Sequence, residues 1–295
     1  MNITKSGMVA VVGRANTGKS TLVNKLVGEK VSIVTDKPQT TRRRICAVLN
    51  EGGVQAVLMD TPGFHKPRTR LGEYMAKVAL ESVGGNDATL LVVEPFAPPG
   101  DIEVELIAQL KGTGCPAILV VNKIDKADKR EILPVLAAYS REHSFHSVFP
   151  VSALDGDGLD ILKKELLGLM PDGHALFPEG MVTDQPDKLL IAELIREKVL
   201  EQMWEEVPHG VAVMVEKLSE REDGAIDIEA VIYCERDGHK GMIVGKNGTR
   251  IKSLGAAARL ELEEIYEGKV NLKTWVKVSK NWRDKPAALG RLGYH

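Results

Sequence analysis

The chain has 295 residues, a net charge of −2, and hydrophobic and charged fractions of 43% and 27%. These are the proportions of a globular chain long enough for two domains, each with its own core. No run of about 18 apolar residues occurs, which excludes a membrane-spanning helix. The opening Met1-Asn2-Ile3-Thr4-Lys5-Ser6-Gly7 lacks the apolar stretch of a signal peptide. Cys46, Cys115 and Cys234 are far apart, odd in number and set among apolar residues. They read as small core side chains in a reducing cytoplasm, not as disulfides or metal ligands. The seven histidines are scattered without ligand spacing and read as surface or capping residues.

Met8-Val9-Ala10-Val11-Val12 is apolar and β-branched, the pattern of a buried strand. Gly13-Arg14-Ala15-Asn16-Thr17-Gly18-Lys19-Ser20 follows it. Then comes Thr21-Leu22-Val23-Asn24-Lys25-Leu26, with Leu22 and Leu26 on one helical face. Strand, glycine-rich turn and helix together form the setting of a phosphate loop. Gly13, Asn16, Thr17, Gly18 and Thr21 would line the phosphates, with backbone N–H groups and the helix N-terminus supplying positive potential. Lys19 would reach the β- and γ-phosphates, and the Ser20 hydroxyl would ligate Mg²⁺.

Residues 29–44 are polar and predict a mobile surface loop containing Thr35-Asp36-Lys37-Pro38-Gln39-Thr40-Thr41-Arg42. Beside a phosphate loop, one threonine of the pair becomes a Mg²⁺ ligand that senses the γ-phosphate. Composition does not choose between Thr40 and Thr41; Thr41 is carried forward with Ser20 and Asp60 as the expected metal set. Strands over 45–50 and 54–59, joined at Glu51-Gly52-Gly53, deliver Asp60-Thr61-Pro62-Gly63. Asp60 would hold Mg²⁺ through water, and Gly63 would bring its N–H to the γ-phosphate.

An apolar run over 88–94 and a helical pattern over 101–111 precede a strand at 116–121 that ends in Asn122-Lys123-Ile124-Asp125. The Asp125 carboxylate can accept from N1–H and N2–H₂ of guanine, a donor pair that adenine lacks. Asn122 and the stem of Lys123 would brace the loop and cover the base. A helix over 129–141 and a strand over 147–151 lead to Ser152-Ala153-Leu154, whose N–H groups could cover guanine O6, and a helix over 159–170 closes the unit.

The ordered set GRANTGKS, PQTTR, DTPG, NKID and SAL resembles the Ras-like translation-factor GTPases, and within them the TrmE–Era branch. The resemblance implies an α/β fold, a doubly wound, mostly parallel sheet with GTP or GDP at the carboxyl ends of its strands. It also implies Mg²⁺ as cofactor and hydrolysis of GTP to GDP and phosphate, with Lys19, Thr41 and Gly63 in catalytic roles. Ras-like enzymes orient the attacking water with a glutamine after the DTPG glycine; here that residue is Phe64. A phenyl ring cannot do this by hydrogen bonding, so slow intrinsic hydrolysis is expected. Asn16 matches the asparagine that some relatives use to bind K⁺ beside the phosphates, and K⁺ is therefore expected as a second cation.

Residues 171–186 are dense in proline and glycine, and 173–186 read as a semi-rigid linker between a domain over 1–172 and another over 187–295. Helical spacing resumes over 187–204 with Asp187 as N-cap, followed by strands over 211–215 and 226–232. Gly241-Met242-Ile243-Val244-Gly245-Lys246-Asn247-Gly248-Thr249-Arg250-Ile251 then leads into a helix over 252–266 and a last strand over 270–278. This smaller α+β pattern resembles the type II KH domain, with Val244 in place of the first isoleucine of the core motif. Gly245 and Gly248 would let the loop approach a sugar-phosphate backbone. The expected RNA contacts are Ile243, Val244, Gly245, Lys246, Asn247, Gly248, Arg250 and Lys252. Charge divides accordingly: residues 236–285 carry 12 Lys and Arg against 6 Asp and Glu, whereas 187–235 carry 5 against 13. Trp282, among basic residues, could stack on a base or pack on the domain.

A GTPase domain followed by a KH domain resembles the Era family from end to end. That resemblance implies an RNA-binding GTPase that takes the single-stranded 3′ end of small-subunit rRNA and acts in assembly of the small ribosomal subunit; a monomer is expected, although the sequence does not determine oligomeric state. It implies a cytoplasmic location with peripheral contact at the cytoplasmic membrane, although no anchor is encoded.

Overall fold

Each apolar stretch that precedes a polar motif becomes a strand of one sheet. In the computed structural model, which describes residues 2–294, these are β1 (Lys5–Val12), β2 (Ile45–Glu51), β3 (Val54–Asp60), β4 (Ala88–Val93), β5 (Ala117–Val121) and β6 (Ser147–Pro150). Their order is β2-β3-β1-β4-β5-β6, with β2 antiparallel to β3 and all other pairs parallel. The strands other than β6, whose residues are half-buried or exposed, are buried on both faces along most of their length, which explains their continuous rather than alternating hydrophobicity. One face packs against α1 (Lys19–Val27) and α5 (Leu159–Gly168) through Leu22, Val23, Leu26, Leu162 and Leu166. The other packs against α2 (Arg70–Glu81), α3 (Asp101–Thr113) and α4 (Lys129–Glu142) through Ala76, Leu106, Leu110 and Tyr139. α2 is an element the sequence analysis does not predict. The carboxyl ends of β1, β3, β4 and β5 lead into the phosphate loop, Asp60, Glu94 and Asn122.

Residues 29–44 form no helix or strand, but they are not the solvated loop expected. Val31, Ile33 and Arg42 are buried, and Asn24 pins the segment from α1. Its Oδ1 accepts from the N–H groups of Val31 (3.1 Å) and Ser32 (3.0 Å), and its Nδ2 donates to the Ser32 carbonyl at 2.7 Å.

The predicted linker is also different, because the first unit runs on to Asp184. Ser6 donates its backbone N–H to Pro171 O (3.0 Å) and its hydroxyl to His174 O (2.5 Å). Buried Gln55 accepts from the N–H groups of Leu176 (2.7 Å) and Phe177 (2.9 Å) and donates to Phe177 O (3.0 Å). Along the outer side of β2, Val48 N–H donates to Val182 O, and Cys46 N–H donates to an Asp184 carboxylate oxygen at 3.1 Å. Only Gln185 and Pro186 lie between this strap and the next helix.

The second unit begins at Gln185 and also takes in Thr35–Thr40 and Thr69–Leu71. Its elements are α6 (Asp187–Gln202), β7 (Ala212–Glu220), β8 (Ile226–Cys234), α7 (Asp237–Val244), α8 (Thr249–Ile265), β9 (Val270–Val278) and α9 (Pro286–Arg291). Pro186, not Asp187, holds the N-cap position of α6. The sheet order is β7-β8-β9, antiparallel and then parallel. Ile228, Ala230, Ile232 and Cys234 alternate along the buried side of β8, and Ile191, Leu194, Leu254, Ala258 and Leu262 supply helical core. Trp282 packs on the domain: it is fully buried, donates from Nε1 to Gly210 O at 2.8 Å and stacks on Tyr294.

Candidate phosphate, base and RNA sites

The phosphate loop sits between β1 and α1. The first turn of α1 carries no acidic residue and no side-chain cap, so its free N–H groups and the helix dipole face the loop as an anion site. Lys19 is buried and donates from Nζ to Gly13 O (3.1 Å) and Arg14 O (2.8 Å). Burial pushes its pKa down to about 8, with Lys123 adding to the fall and Asp60 opposing it. Gly63 lies against the same loop: a Cβ there would stand 2.4 Å from Ala15 Cα, so only glycine permits the approach. Phe64 turns its ring into the core while its N–H donates to Gly13 O at 3.1 Å. No side chain from position 64 reaches the phosphate site.

Three oxygen groups converge below the loop. Ser20 Oγ lies 2.8 Å from Thr41 Oγ1 and donates to Asp60 Oδ2 at 2.7 Å, and Thr41 Oγ1 lies 3.4 Å from the same carboxylate oxygen. Asp60 is fully buried, and its Oδ1 has no hydrogen-bond partner. Burial raises the pKa of this carboxyl, against the lowering effect of Ser20, Lys19, the nearby buried Ser32 hydroxyl and Thr41. An orphaned buried carboxylate oxygen beside two hydroxyls fits a hard divalent cation such as Mg²⁺. The Thr40 hydroxyl is engaged elsewhere, 2.7 Å from both Thr35 Oγ1 and Lys37 O. Geometry therefore separates two threonines that composition could not.

On the base side, Asn122 is buried and ties two loops together. Its Nδ2 donates to Thr17 O and its Oδ1 accepts from Ala153 N–H, both at 2.9 Å. The Ser152 hydroxyl donates to Asp125 Oδ1 at 2.8 Å and so orients the carboxylate. Leu154 is exposed. Lys123 has a left-handed backbone (φ 68°), and its Nζ lies 2.5 Å from both Asn16 O and Glu94 Oε1. Sequence reasoning missed two acids here. Glu94 stands at the end of the apolar run 88–94, one residue past β4. Glu103, buried on α3, joins Arg14 at 3.2 Å and caps Gly100 N–H at 3.1 Å. A capping acid three residues into a helix was the one available signal.

In the second unit, α7 and α8 are joined by the turn 245–248. Gly245 has φ +73°, and a Cβ on it would lie 2.7 Å from Arg250 Cβ. α8 has no side-chain cap and no acid in its first turn, which leaves its N–H groups open to an anion. Lys246, Asn247 and Lys252 are exposed around it, and Gly248 is half-buried. Arg250 is exposed too, but its guanidinium donates to Met242 O at 2.9 Å and braces the turn. Ile243 is a correction: it is wholly buried, so its side chain belongs to the core and cannot touch RNA. Val244 is half-buried beside it.

Residues 8–123 match the family model described as 50S ribosome-binding GTPase, and residues 206–283 match the KH domain. The chain is 48% identical over 290 residues to GTPase Era of Ruminiclostridium cellulolyticum, covering 98% of this chain and 97% of that one. It is 47% identical to GTPase Era of Clostridioides difficile, with 99% of each chain covered. Among solved structures, Era in complex with MgGDPNP and nucleotides 1506–1542 of 16S ribosomal RNA superposes with a TM-score of 0.94. That match has 38% identity and covers 99% of both chains. A variant of Aquifex aeolicus Era bound to GDP and aluminium fluoride also gives 0.94 at 38% identity, covering 98% of this chain and 99% of that one.

Proposed function

The chain belongs to the Era family of GTPases, and on that premise we propose that it is a GTP-driven RNA-binding switch. Its second unit would take the single-stranded 3′ end of small-subunit rRNA during assembly of the small ribosomal subunit. The observation that carries this reading is the pairing, in one chain, of a phosphate loop with the open, glycine-built turn 245–248. One family member of matching architecture holds both MgGDPNP and 16S rRNA nucleotides.

GTP is hydrolysed on the first unit. Lys19 and the N-terminal N–H groups of α1 meet the phosphates and stabilise the charge that spreads over their oxygens as the γ-phosphoryl group transfers. Ser20 and Thr41 would hold Mg²⁺ through their hydroxyls, with Asp60 reaching it through water. Held by these residues, Mg²⁺ would supply charge neutralisation to the phosphates. Asp125, held by Ser152, selects guanine, and Asn122 fixes the spacing between base and phosphate loops. Loss of the γ-phosphate would release Thr41 and the segment after Gly63. Phe64 supplies no water-orienting group, so the chain depends on charge placement for its rate. We propose that K⁺, bound beside the phosphates by Asn16, contributes to that charge; equal hydrolysis rates in KCl and NaCl would overturn this. No helix among the described residues is long and apolar enough to cross a membrane.

Titration of a short RNA matching the rRNA 3′ end tests the switch, with the protein loaded with GDP or a non-hydrolysable GTP analogue. Gly248→Asp is the control. A side chain has room there, with Ile251 the nearest group at 3.9 Å, and aspartate tolerates the left-handed backbone, so the substitution mainly adds repulsion toward phosphate. Tighter binding in the GTP form, falling steeply with salt and lost in the variant, is expected. Equal affinity in both nucleotide states would exclude coupling by linkage.

A further inference from the structure

We propose that Glu94 is a positioning residue for the guanine nucleotide, acting by holding Lys123 across the base site. The inference rests on the reading of that site as a guanine-nucleotide site. Glu94 directly follows β4, the strand between β1 and β5, and Asn122 N–H donates to Val93 O at 2.9 Å. The chain thus places a carboxylate between the phosphate loop and the 122–125 loop. The Lys123 ammonium group bridges Glu94 Oε1 and the carbonyl of Asn16, at 2.5 Å to each. With its head fixed at that point, the aliphatic stem is stretched between the two loops, where it forms a wall against a base held by Asp125.

The geometry assigns the two acceptors different roles. The Asn16 carbonyl is neutral and belongs to a residue that itself has a left-handed backbone (φ 66°). The Glu94 carboxylate is the charged partner, and both its side chain and that of Lys123 are only 26% exposed, so the pair is not a freely solvated surface bridge. Lys123 also bears a positive φ that disfavours a side chain with a Cβ, and it precedes the turn Ile124–Lys126 that carries Asp125. Releasing its head therefore frees four side-chain torsions and loosens the turn that presents the guanine-reading carboxylate. Glu94 does not touch the phosphates or the base.

The test uses the full chain with Glu94→Ala, Glu94→Gln, Lys123→Met and the Glu94→Ala/Lys123→Met double variant. It reads fluorescent-GDP affinity, steady-state GTPase kinetics and thermal unfolding without nucleotide. Expected for Glu94→Ala are an about tenfold weaker Kd for GDP and a matching rise in KM for GTP, with kcat changed less than about twofold. Glu94→Gln keeps an acceptor and should lie between wild type and Glu94→Ala. The double variant should bind no more weakly than Lys123→Met alone. Additive losses, or a fall in unfolding temperature with unchanged affinity, would assign Glu94 a merely structural role and overturn the proposal. Wild-type protein that bound no GDP would overturn the site reading itself; wild-type binding matched by Glu94→Ala would overturn only the role of Glu94.

Discussion

Replacing Thr41 with valine removes one hydroxyl and keeps the shape, so it tests the proposal that Thr41, and not its neighbour Thr40, faces the metal. In the structure the Thr41 hydroxyl is buried, 2.8 Å from Ser20 Oγ and 3.4 Å from an Asp60 carboxylate oxygen. An interaction with a charged partner at a buried site is worth about 1.5–3 kcal/mol, which corresponds to roughly a tenfold to hundredfold loss in rate. Thr41→Val should lose that much in single-turnover GTP hydrolysis, with part of it recovered at high Mg²⁺, where a water can fill the vacated position. Its affinity for GDP should stay within about twofold, since the γ-phosphate alone makes the threonine useful. Thr40→Val instead breaks loop bonds to Thr35 and Lys37. It should cost about 1 kcal/mol of stability and leave hydrolysis nearly unchanged. Equal losses in the two variants, or a Thr41→Val enzyme at full rate under limiting Mg²⁺, would refute the assignment.

Burial holds the Lys19 pKa down at about 8 from its unfolded 10.5. Between those values the unfolded chain binds the extra proton, so this residue makes the nucleotide-free protein more stable as pH rises from 8 to 10, by up to about 3 kcal/mol. Burial pushes the Cys46 thiol up to about 12, and it works in the opposite direction above pH 9. The difference between wild type and Lys19→Met in urea unfolding at several pH values isolates the lysine, and a difference that does not change with pH would exclude the effect. Gln55→Leu strips the side-chain acceptor from the N–H groups of Leu176 and Phe177, on a segment that is otherwise partly exposed. It should lower the unfolding free energy by about 2–4 kcal/mol and speed proteolysis within 171–184; an unaltered cleavage rate would show that the strap holds without it.

Much of the candidate nucleotide site was legible because four of its motifs follow or end strands, so strand order brings Gly13, Asp60, Asn122 and Ser152 to the carboxyl end of the sheet; the threonine pair, in a segment without strand, had no such guide. What composition could not reveal was orientation. Thr40 and Thr41 are chemically the same; only the turn of the backbone decides which hydroxyl faces Ser20. Ile243 belonged to a recognised motif, but the helical phase of α7 buries it. Arg42 looked solvated because a guanidinium usually is, yet it lies in the interior. The strap was misread for a related reason: proline and glycine mark a chain with little helix or strand of its own, and they say nothing about whether another strand supplies the hydrogen bonds. Glu94 was hidden because its partner Lys123 lies 29 residues away.

The strap has a consequence for where the chain can be divided. β2 is the outermost strand of its sheet, with β3 on one side only, and residues 182–184 occupy backbone groups on the other. A GTPase unit ended at Asp172 would leave that edge bare, a seven-residue template for strand addition and aggregation. Ended at Asp184, the same unit keeps its own cover and should remain soluble.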